Sequence, residues 1–598
     1  MKQRVADFIA DYLVKNNITQ IFSVVGGGAM HLNNAFAINN RLNVIYNHHE
    51  QASAISAESY SRIHNQMAAV CVTSGPGGTN TLTGLLCAWQ DSMPMLVISG
   101  QVRYDITVES TGLDLRQFGE QEYYIVRSVE PMTKYAVMIN DAKMIKYCLG
   151  KAIYLANTGR RGPCWIDVPL NIQGQIIETD DLQEYVPEVP AAIDDDNINA
   201  VIRAIQSAKK PVIIAGSGIR TSGSLNDFYK LADKLKLPII CPTSIVDLFS
   251  PSDEHYYGMF GTFGGRVGNF IVQNADLLIV LGCRLSFKQI GFNFQNFAVA
   301  SKKIVVDIDS NELKKPTIKI DMPICADVAD FIRILNKLDI DCKLDQKKVW
   351  LSYCNFLKQN LGVEKRVKND MVNAYDFSDI LYKKLKQNAI VVLGNNCAAV
   401  SMLQCGIKMR GQRLYGNVNC GTMGYDIPAA IGASIASGDT VYCATGDGSF
   451  QMNLQELQTI AHNNLPIKII IFNNNSYQAI VQTHINFFNG IFAGCTNASG
   501  ISFPSFEKLA EVYNFPFQRA STNIELENAV NWLTQIEGRA MLELVQTQAD
   551  PITPKLSSKK MPDGTMISPP IDDIAPFLPP DEYERCQYKN FAGECLGA

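Results

Sequence analysis

The chain has 598 residues, of which 47% are hydrophobic and 19% charged, and its formal net charge is −5. This length predicts two to four ordinary globular domains, and the absence of a long basic run argues against nucleic-acid binding. No apolar run reaches the roughly 20 residues that a membrane helix needs. Sixteen cysteines occur without CxxC pairs, often inside apolar runs, which predicts reduced, buried thiols in a cytoplasmic protein.

The first third of the chain alternates strand and helix signals. After an amphipathic helix at the start, apolar runs at 21–25, 44–46, 68–72 and 95–99 each lead into a glycine-rich or polar loop. Helical segments follow several of these loops. Strands that alternate with helices predict a parallel, doubly wound α/β sheet, which we assign to residues 1–175.

Two further α/β units follow. An acidic, proline-bearing linker at 175–195 leads to a second unit at 190–336, and a charged helical connection then leads to a third unit at 370–550. The prediction is therefore an α/β protein with three doubly wound parallel-sheet domains. Residues 551–598 carry several prolines and weak periodicity, so we expect this extension to wrap the surface.

Residues 440–476 carry the clearest sign of a binding site. An apolar run ends at Gly446-Asp447-Gly448-Ser449, a helix-spaced segment follows, and a second apolar run ends at Asn473-Asn474-Asn475. In a parallel βαβ unit both strand ends lie at one sheet edge, so Asp447 and Asn474 should lie side by side. Oxygen ligands there suit Mg²⁺ and a diphosphate. The alternative is an Asp-Gly turn and a polar loop that lie far apart.

Several motifs resemble those of thiamine-diphosphate enzymes. The GDG…NN spacing resembles their metal signature, HHEQASAISAESYSR resembles their catalytic-glutamate segment, and GTMGYDIP resembles their GxMGxxxP segment. SGPGGTN, SGQV, MTK and DIDS bring the resemblance closest to the acetohydroxyacid (acetolactate) synthase large-subunit group. It covers residues 1 to about 550 and implies flavodoxin-like pyrimidine-binding, central and diphosphate-binding domains at 1–175, 190–336 and 370–550.

The resemblance also implies roles for individual residues. Glu50 would hydrogen-bond N1′ of the aminopyrimidine, Met423 would bend the cofactor, and Gln121 would be a third catalytic residue. Metal ligands would be Asp447, Asn474 and Ser476. The remaining cofactor-binding residues would be Gly26, Gly27, Ser74, Pro76, Asn80, Asn395, Asn396, Gly421, Gly446, Gly448 and Ser449.

The chain departs from the synthase pattern at positions that bear on the substrate. Thr483 stands where the family has a tryptophan that gates the acceptor pocket, and Leu170 replaces a lysine near the entrance. The FQE motif is here Glu120-Gln121-Glu122. In the central domain GVRFDDR becomes GCRLSFK at 282–288, which weakens the case for bound FAD without excluding it. The segment at 560–578 resembles relatives from surface-polysaccharide biosynthesis.

These patterns predict a thiamine-diphosphate- and Mg²⁺-dependent carboligase. It would decarboxylate a 2-oxo acid, with pyruvate the expected donor, and transfer the two-carbon unit to an acceptor carbonyl such as a keto-sugar nucleotide. The alternatives are a true acetolactate synthase, a simple 2-oxo acid decarboxylase and a pyruvate-oxidase-type flavoenzyme. The resemblance implies a homodimer or homotetramer in which two subunits build each site.

Overall fold

The computed structural model describes residues 1–187, 193–362, 370–395, 397–548, 552–561 and 563–597. Three six-stranded sheets, each with parallel strand pairs, organise the chain, and this confirms the prediction of three doubly wound α/β domains. Two compact units are present: 1–189, 389–396 and 416–548 form the first, and the remaining residues form the second. The described part of the chain contains no helix long and apolar enough to cross a membrane.

In the first domain the four central strands of the sheet are fully buried, as their continuous apolar runs require. Its strands are β1 (Lys2–Arg4), β2 (Gln20–Ser23), β3 (Asn43–Tyr46), β4 (Ala68–Val72), β5 (Met95–Gln101), β6 (Ala136–Met138), β7 (Pro163–Pro169) and β8 (Ile176–Glu178). Its helices are α1 (Val5–Lys15), α2 (Met30–Ile38), α3 (Glu50–His64), α4 (Pro76–Asn80), α5 (Leu82–Asp91), α6 (Val108–Thr111), α7 (Ile125–Val129), α8 (Ile145–Asn157) and α9 (Leu170–Gln173).

The sheet of the first domain has the order β3-β2-β4-β5-β7-β6. The predicted amphipathic helix is α1, and its apolar face, including Val5, Ile9 and Leu13, lies in the core. Strand β8, which pairs antiparallel with β1, lies directly after the predicted boundary at residue 175. The short strand β6 has no clear signal in the sequence, because its three residues lack a detectable period.

The central domain has the strand order β11-β10-β9-β12-β13-β14. Its strands are β9 (Pro211–Ala215), β10 (Ile239–Pro242), β11 (Tyr256–Phe260), β12 (Leu277–Leu281), β13 (Lys302–Asp307) and β14 (Met322–Cys325). Its helices are α10 (Asp195–Ser207), α11 (Gly218–Thr221), α12 (Leu225–Leu235), α13 (Arg266–Asn274), α14 (Phe287–Ile290), α15 (Val328–Lys337) and α16 (Lys348–Leu361). The predicted helical connection contains α16, whose Trp350 and Leu357 belong to the core of this domain.

The third sheet has the order β16-β15-β17-β18-β20-β19. Its strands are β15 (Ile390–Leu393), β16 (Arg413–Gly416), β17 (Val441–Gly446), β18 (Ile467–Asn473), β19 (Phe517–Ala520) and β20 (Ala540–Val545). The helices are α17 (Ala374–Lys384), α18 (Cys397–Cys405), α19 (Asp426–Ser437), α20 (Asp447–Gln451), α21 (Glu456–His462), α22 (Gln478–Phe487), α23 (Phe506–Val512) and α24 (Leu526–Gln535).

The extension is more deeply packed than the sequence indicates. It forms β21 (Lys559–Lys560), β22 (Met566–Ile567), α25 (Pro580–Arg585) and α26 (Tyr588–Gly597). Ile571 and Cys586 join the core of the central domain, and the Tyr353 hydroxyl donates to the Cys586 carbonyl at 2.7 Å. The extension is therefore part of the second compact unit.

Candidate functional site

The Asp447 loop lies where β17 ends and α20 begins. Strands β17 and β18 pair in parallel, with Gly446 opposite Phe472, so the loops after them are neighbours, as predicted. The Asp447 carboxylate accepts hydrogen bonds from the backbone N–H groups of Gly448 at 2.8 Å, Asn474 at 3.0 Å and Ser476 at 3.3 Å. This contact excludes the alternative of two unrelated loops. The helix-spaced segment is split into α20 and α21, so it is not one continuous helix.

The chemistry of these two loops suits a hard cation. Asp447 is only 3% exposed, and this burial raises its pKa to about 6, although the backbone N–H donors counteract the rise. The Asn474 side-chain oxygen accepts from the Ser476 hydroxyl at 2.7 Å, which folds the 474–476 turn beside the carboxylate. The described residues contain no group of three His, Cys, Asp or Glu side chains that could hold a metal. The Asp447 carboxylate and the amide and carbonyl oxygens of the 474–476 turn are oxygen ligands of the kind that Mg²⁺ takes when it also binds a phosphate.

Met423 lies against the same loop. A Cβ atom built on Gly448 would be 2.3 Å from the Tyr477 ring and 3.0 Å from the Met423 methyl group, so glycine is required there. The structure thus brings Met423 and Gly448 together, and their roles toward the cofactor stay predictions. Tyr477 was not predicted, and the only signal for it in the sequence is its place directly after the 474–476 turn.

The segment that carries Met423 is held by several polar contacts. Gly421 has φ +64°, and its carbonyl accepts a hydrogen bond from the Asn395 side chain. The Gly424 N–H donates to the Ser449 hydroxyl at 2.8 Å, and this hydroxyl donates to Asp426 at 2.5 Å. The Ser449 side chain, predicted to bind cofactor, is therefore engaged within the protein. Asn396 lies outside the described residues.

Glu50 is the first residue of α3, where the helix dipole favours a carboxylate. The preceding residue, His49, caps the helix through its ring nitrogen, which accepts from the Gln51 N–H at 3.1 Å. The Glu50 carboxylate accepts from the Asn80 amide at 3.0 Å. Its other oxygen is 3.7 Å from a Cβ built on Gly77. The loop after β4 and the start of α3 therefore meet at Glu50, which brings two of the predicted motifs together.

Two further loops border this half of the site. In the first, the Gly28 N–H donates to the Thr73 hydroxyl at 3.0 Å, while a Cβ on Gly27 would meet no atom within 4 Å. A Cβ on Gly26, by contrast, would lie 2.5 Å from the Thr73 side chain, so the open space is at Gly27, and cofactor binding by Gly26 and Gly27 stays a prediction. Thr73 was not predicted, because a threonine at a strand end carries no specific signal.

The second loop carries Gln121, which is exposed and has φ +58°. A Cβ built on Gly75 would be 2.3 Å from the Gln121 carbonyl oxygen, so the SGPGGTN loop touches the backbone here. The buried Glu122 carboxylate accepts from the N–H groups of Phe118 at 2.9 Å and Gly119 at 3.2 Å. Gln121 is therefore held at a fixed place beside Ser74 and Pro76.

The predicted residues fall into two groups on two sheets. Glu50, Asn80 and Gln121 belong to the first domain, while Met423, Asp447 and Asn474 belong to the third. In the described part of the chain, no hydrogen bond joins Glu50 to Asp447 or Met423. Each group is organised by its own contacts within a single chain.

Each of the three domains matches a domain model of the same enzyme family. Residues 3–121 match the thiamine pyrophosphate enzyme N-terminal TPP-binding domain, 198–335 match the central domain, and 394–544 match the C-terminal TPP-binding domain. These matches follow the order of the three sheets. They cover the loops that carry Glu50, Met423 and Asp447.

Similar curated proteins extend along nearly the whole chain. A probable acetolactate synthase large subunit from Methanococcus aeolicus is 29% identical over 95% of this chain and 95% of its own length. The chloroplastic acetolactate synthase of Arabidopsis thaliana is 27% identical, and acetolactate synthase 1 of Nicotiana tabacum is 29% identical; each match covers 92% of this chain and 83% of the plant protein. The chain thus belongs to the thiamine pyrophosphate enzymes, as a thiamine-diphosphate-dependent member that resembles the acetolactate synthases.

Proposed function

We propose that this enzyme is a Mg²⁺-dependent carboligase. It would remove CO₂ from a 2-oxo acid, with pyruvate the expected donor, and transfer the remaining two-carbon unit to a large acceptor carbonyl, such as a keto-sugar nucleotide. The family supports the first half of this reaction. The acceptor is inferred from the region around Thr483.

The Asp447 loop would hold Mg²⁺ and, through it, the cofactor diphosphate. The supporting observation is the contact of the Asp447 carboxylate with the turn that carries Asn474 and Ser476. An anion there would also lie at the start of α20, where backbone N–H groups favour negative charge. Thiamine diphosphate supplies a nucleophilic thiazolium carbon and an electron sink for the loss of CO₂.

The protein would control a proton and the conformation of the bound cofactor. Glu50 would hold a proton at N1′ of the aminopyrimidine, and the Asn80 amide would keep its carboxyl group oriented. The Gly421 carbonyl would accept from the 4′-amino group in place of the Asn395 side chain that it binds here. Met423, packed beside Gly448, would support the bent cofactor from one side.

The exposure of α22 is the observation that carries the large-acceptor proposal. Thr483 is exposed on this helix, and its hydroxyl is bonded to the Ala479 carbonyl at 2.9 Å. Phe487 and Phe488 could refill the space of a missing tryptophan, but they are 69% and 55% exposed. Within one chain, these aromatic rings do not close the region around Thr483. A bulky acceptor therefore fits better than compensating repacking.

A homodimer, or a tetramer of such dimers, would complete the site. The support is that apolar side chains beside the predicted site residues are exposed in the single chain, among them Val25, Phe118 and Met452. Isolated exposed apolar residues are ordinary, but these three flank three separate site loops. A second copy would cover them and would join Glu50 of one subunit to the Asp447 loop of the other.

Product analysis tests this proposal. Purified protein would be incubated with thiamine diphosphate, Mg²⁺ and pyruvate, with and without keto-sugar nucleotides, and the products identified by mass spectrometry. A two-carbon adduct of the sugar nucleotide supports the proposal. Efficient acetolactate formation, acetaldehyde alone, or flavin absorbance that pyruvate bleaches would instead favour the synthase, the decarboxylase or the flavoenzyme, respectively.

A further inference from the structure

A buried ionic cluster links the first domain to the segment that carries Met423. Glu58 and Arg62 lie one turn apart on α3, and Asp91 ends α5. Arg62 donates to Glu58 at 3.0 Å and to Asp91 at 2.6 Å, and both carboxylates are almost completely buried. We call these three residues the Glu58–Arg62–Asp91 cluster.

The cluster has one cation and two carboxylates, so it needs further donors. The segment 417–425 supplies three of them: the Tyr425 hydroxyl donates to Glu58 at 2.7 Å, and the Asn417 and Asn419 amides donate to Asp91 at 3.1 Å and 2.5 Å. Buried charges are tolerated only when such hydrogen bonds satisfy them. The segment is therefore attached to the cluster at both ends.

Between these attachments lie the residues expected to contact the cofactor. Gly421 and Met423 stand between Asn419 and Tyr425, and the Gly421 N–H donates to the Asn417 carbonyl at 2.8 Å. A shift of either end would move the Gly421 carbonyl and the Met423 side chain together. Their positions relative to the Asp447 loop thus depend on groups that never touch the cofactor.

The same helix begins with Glu50. Along its length α3 packs closely on α19, where the Ser56 and Ser59 hydroxyls donate to the carbonyls of Pro428 and Ala429 at 2.8 Å and 2.6 Å. Helix α19 starts directly after Tyr425. One packed pair of helices therefore carries Glu50 at one end and anchors the Met423 segment further along.

We propose that Glu58, Arg62 and Asp91 are positioning residues for cofactor activation, which fix the Gly421 carbonyl and Met423 through Asn417, Asn419 and Tyr425. This inference rests on the proposed function, because it assigns these two groups to the cofactor's aminopyrimidine. The cluster sets how well the bound cofactor is activated. Cofactor affinity is set separately, by the Asp447 loop.

The test uses two mild substitutions in the full-length protein. Tyr425→Phe removes one hydroxyl that bonds Glu58, and Asn419→Ala removes one amide that bonds Asp91. Tyr135→Phe is the matched control, because its hydroxyl bonds the Cys148 sulfur at 3.4 Å in the first domain, away from this segment. For each protein, hydrogen–deuterium exchange at C2 of bound thiamine diphosphate, the dissociation constant of the cofactor with Mg²⁺ and the melting temperature would be measured.

We expect both segment variants to slow C2 exchange by about tenfold, since each removes a hydrogen bond to a buried charge that positions the segment. Cofactor affinity should stay near that of the wild type, and the control should exchange normally. Variants that melt earlier but exchange at the wild-type rate would give the cluster a structural role only and overturn the inference. A wild-type protein that binds no thiamine diphosphate would overturn the proposed function itself.

Discussion

The first and third sheets differ from the central sheet in strand order and in what their loops carry. Numbered within each sheet, the first and third have the order 2-1-3-4-6-5, whereas the central sheet has 3-2-1-4-5-6. In the first and third, the carboxyl ends of the strands lead to Glu50 and Asp447. In the central sheet, the Gly218 N–H donates to the Gly282 carbonyl at 3.0 Å, so the loops after β9 and β12 contact each other directly. A parallel sheet alone does not make a site, because the loops supply the chemistry.

The largest expected effect is a loss of cofactor binding, and it should distinguish between two aspartates that lie at strand ends. Asp447→Ala should abolish retention of thiamine diphosphate, because the diphosphate would lose its bridging Mg²⁺. Asp307→Ala, at the end of β13 in the central sheet, is the matched control and should leave retention unchanged. Equilibrium dialysis with Mg²⁺ measures both. If the Asp447 variant bound thiamine diphosphate with wild-type affinity, Asp447 could not be a ligand of the bridging Mg²⁺.

The second prediction concerns proton transfer in the first domain. Glu50→Gln should bind the cofactor, because binding depends on the Asp447 loop of the third domain. C2 exchange should slow by about a hundredfold or more, since an amide cannot share a proton with N1′ as a carboxyl group does. Exchange as fast as in the wild type would exclude Glu50 from the catalytic role.

The third prediction tests acceptor size. Thr483→Trp should reduce transfer to a large acceptor by about tenfold while donor decarboxylation changes little, because only the second half-reaction needs the open volume. Asn486→Trp, on the exposed part of the same helix, controls for added bulk. Equal loss in both half-reactions of the Thr483 variant would contradict the large-acceptor proposal.

The smallest effect on catalysis is expected for substitutions of two buried aspartates, Asp167 and Asp247. These two residues should instead differ in how they make the stability of the protein depend on pH. Burial raises the pKa of Asp167 to about 7, against hydrogen bonds from Ser99 and Gln101. In the second unit burial also opposes the charge of Asp247, but Arg220 and Arg413 at 2.9 Å and 2.8 Å hold its pKa below the ordinary value. The folded protein thus retains a proton on Asp167 that the unfolded chain loses, so this contribution to stability is lost as pH rises toward 7 and above.

Replacing each aspartate by asparagine distinguishes the raised pKa of Asp167 from the lowered pKa of Asp247. Asp167→Asn should remove a pH-dependent loss of stability of about 4 kcal/mol between about pH 4 and pH 7. Asp247→Asn should instead destabilise at neutral pH by about 3 kcal/mol, because two arginines lose their partner. That contribution disappears only as pH falls through the lowered pKa of Asp247. Thermal unfolding across this pH range measures the stability of both variants. If stability depended on pH in the same way in both, the distinction between the two aspartates would be contradicted.

The sequence predicted the parts of the fold and site that depend on local pattern. The apolar runs of β17 and β18 and the polar turns after them were enough to bring Asp447 beside Asn474. The break between α20 and α21 was missed, because apolar spacing continues across it. Short β6 and β8 were missed because three residues carry no period.

Contacts between distant segments could not be predicted in the same way. Glu58 and Arg62 have the i, i+4 spacing of an ordinary surface pair, and only the fold shows that Asp91 and Tyr425 bury them. The Asn395 contact with Gly421 joins residues 26 positions apart and has no local signal. The packing of the extension on the central domain depends on residues such as Ile571 and Cys586, whose partners lie far away in the sequence.

The close packing of α3 on α19 has a mechanical consequence. A Cβ atom on Gly432 would be only 2.0 Å from the Ser56 carbonyl oxygen, so the two helix backbones touch with no side chain between them. Because no side chains lie between the two backbones at this point, the first and third domains of one chain cannot easily slide or rotate against each other there. Adjustments during turnover are then expected in exposed segments, such as the loop after α22, rather than in the relative position of these two helices.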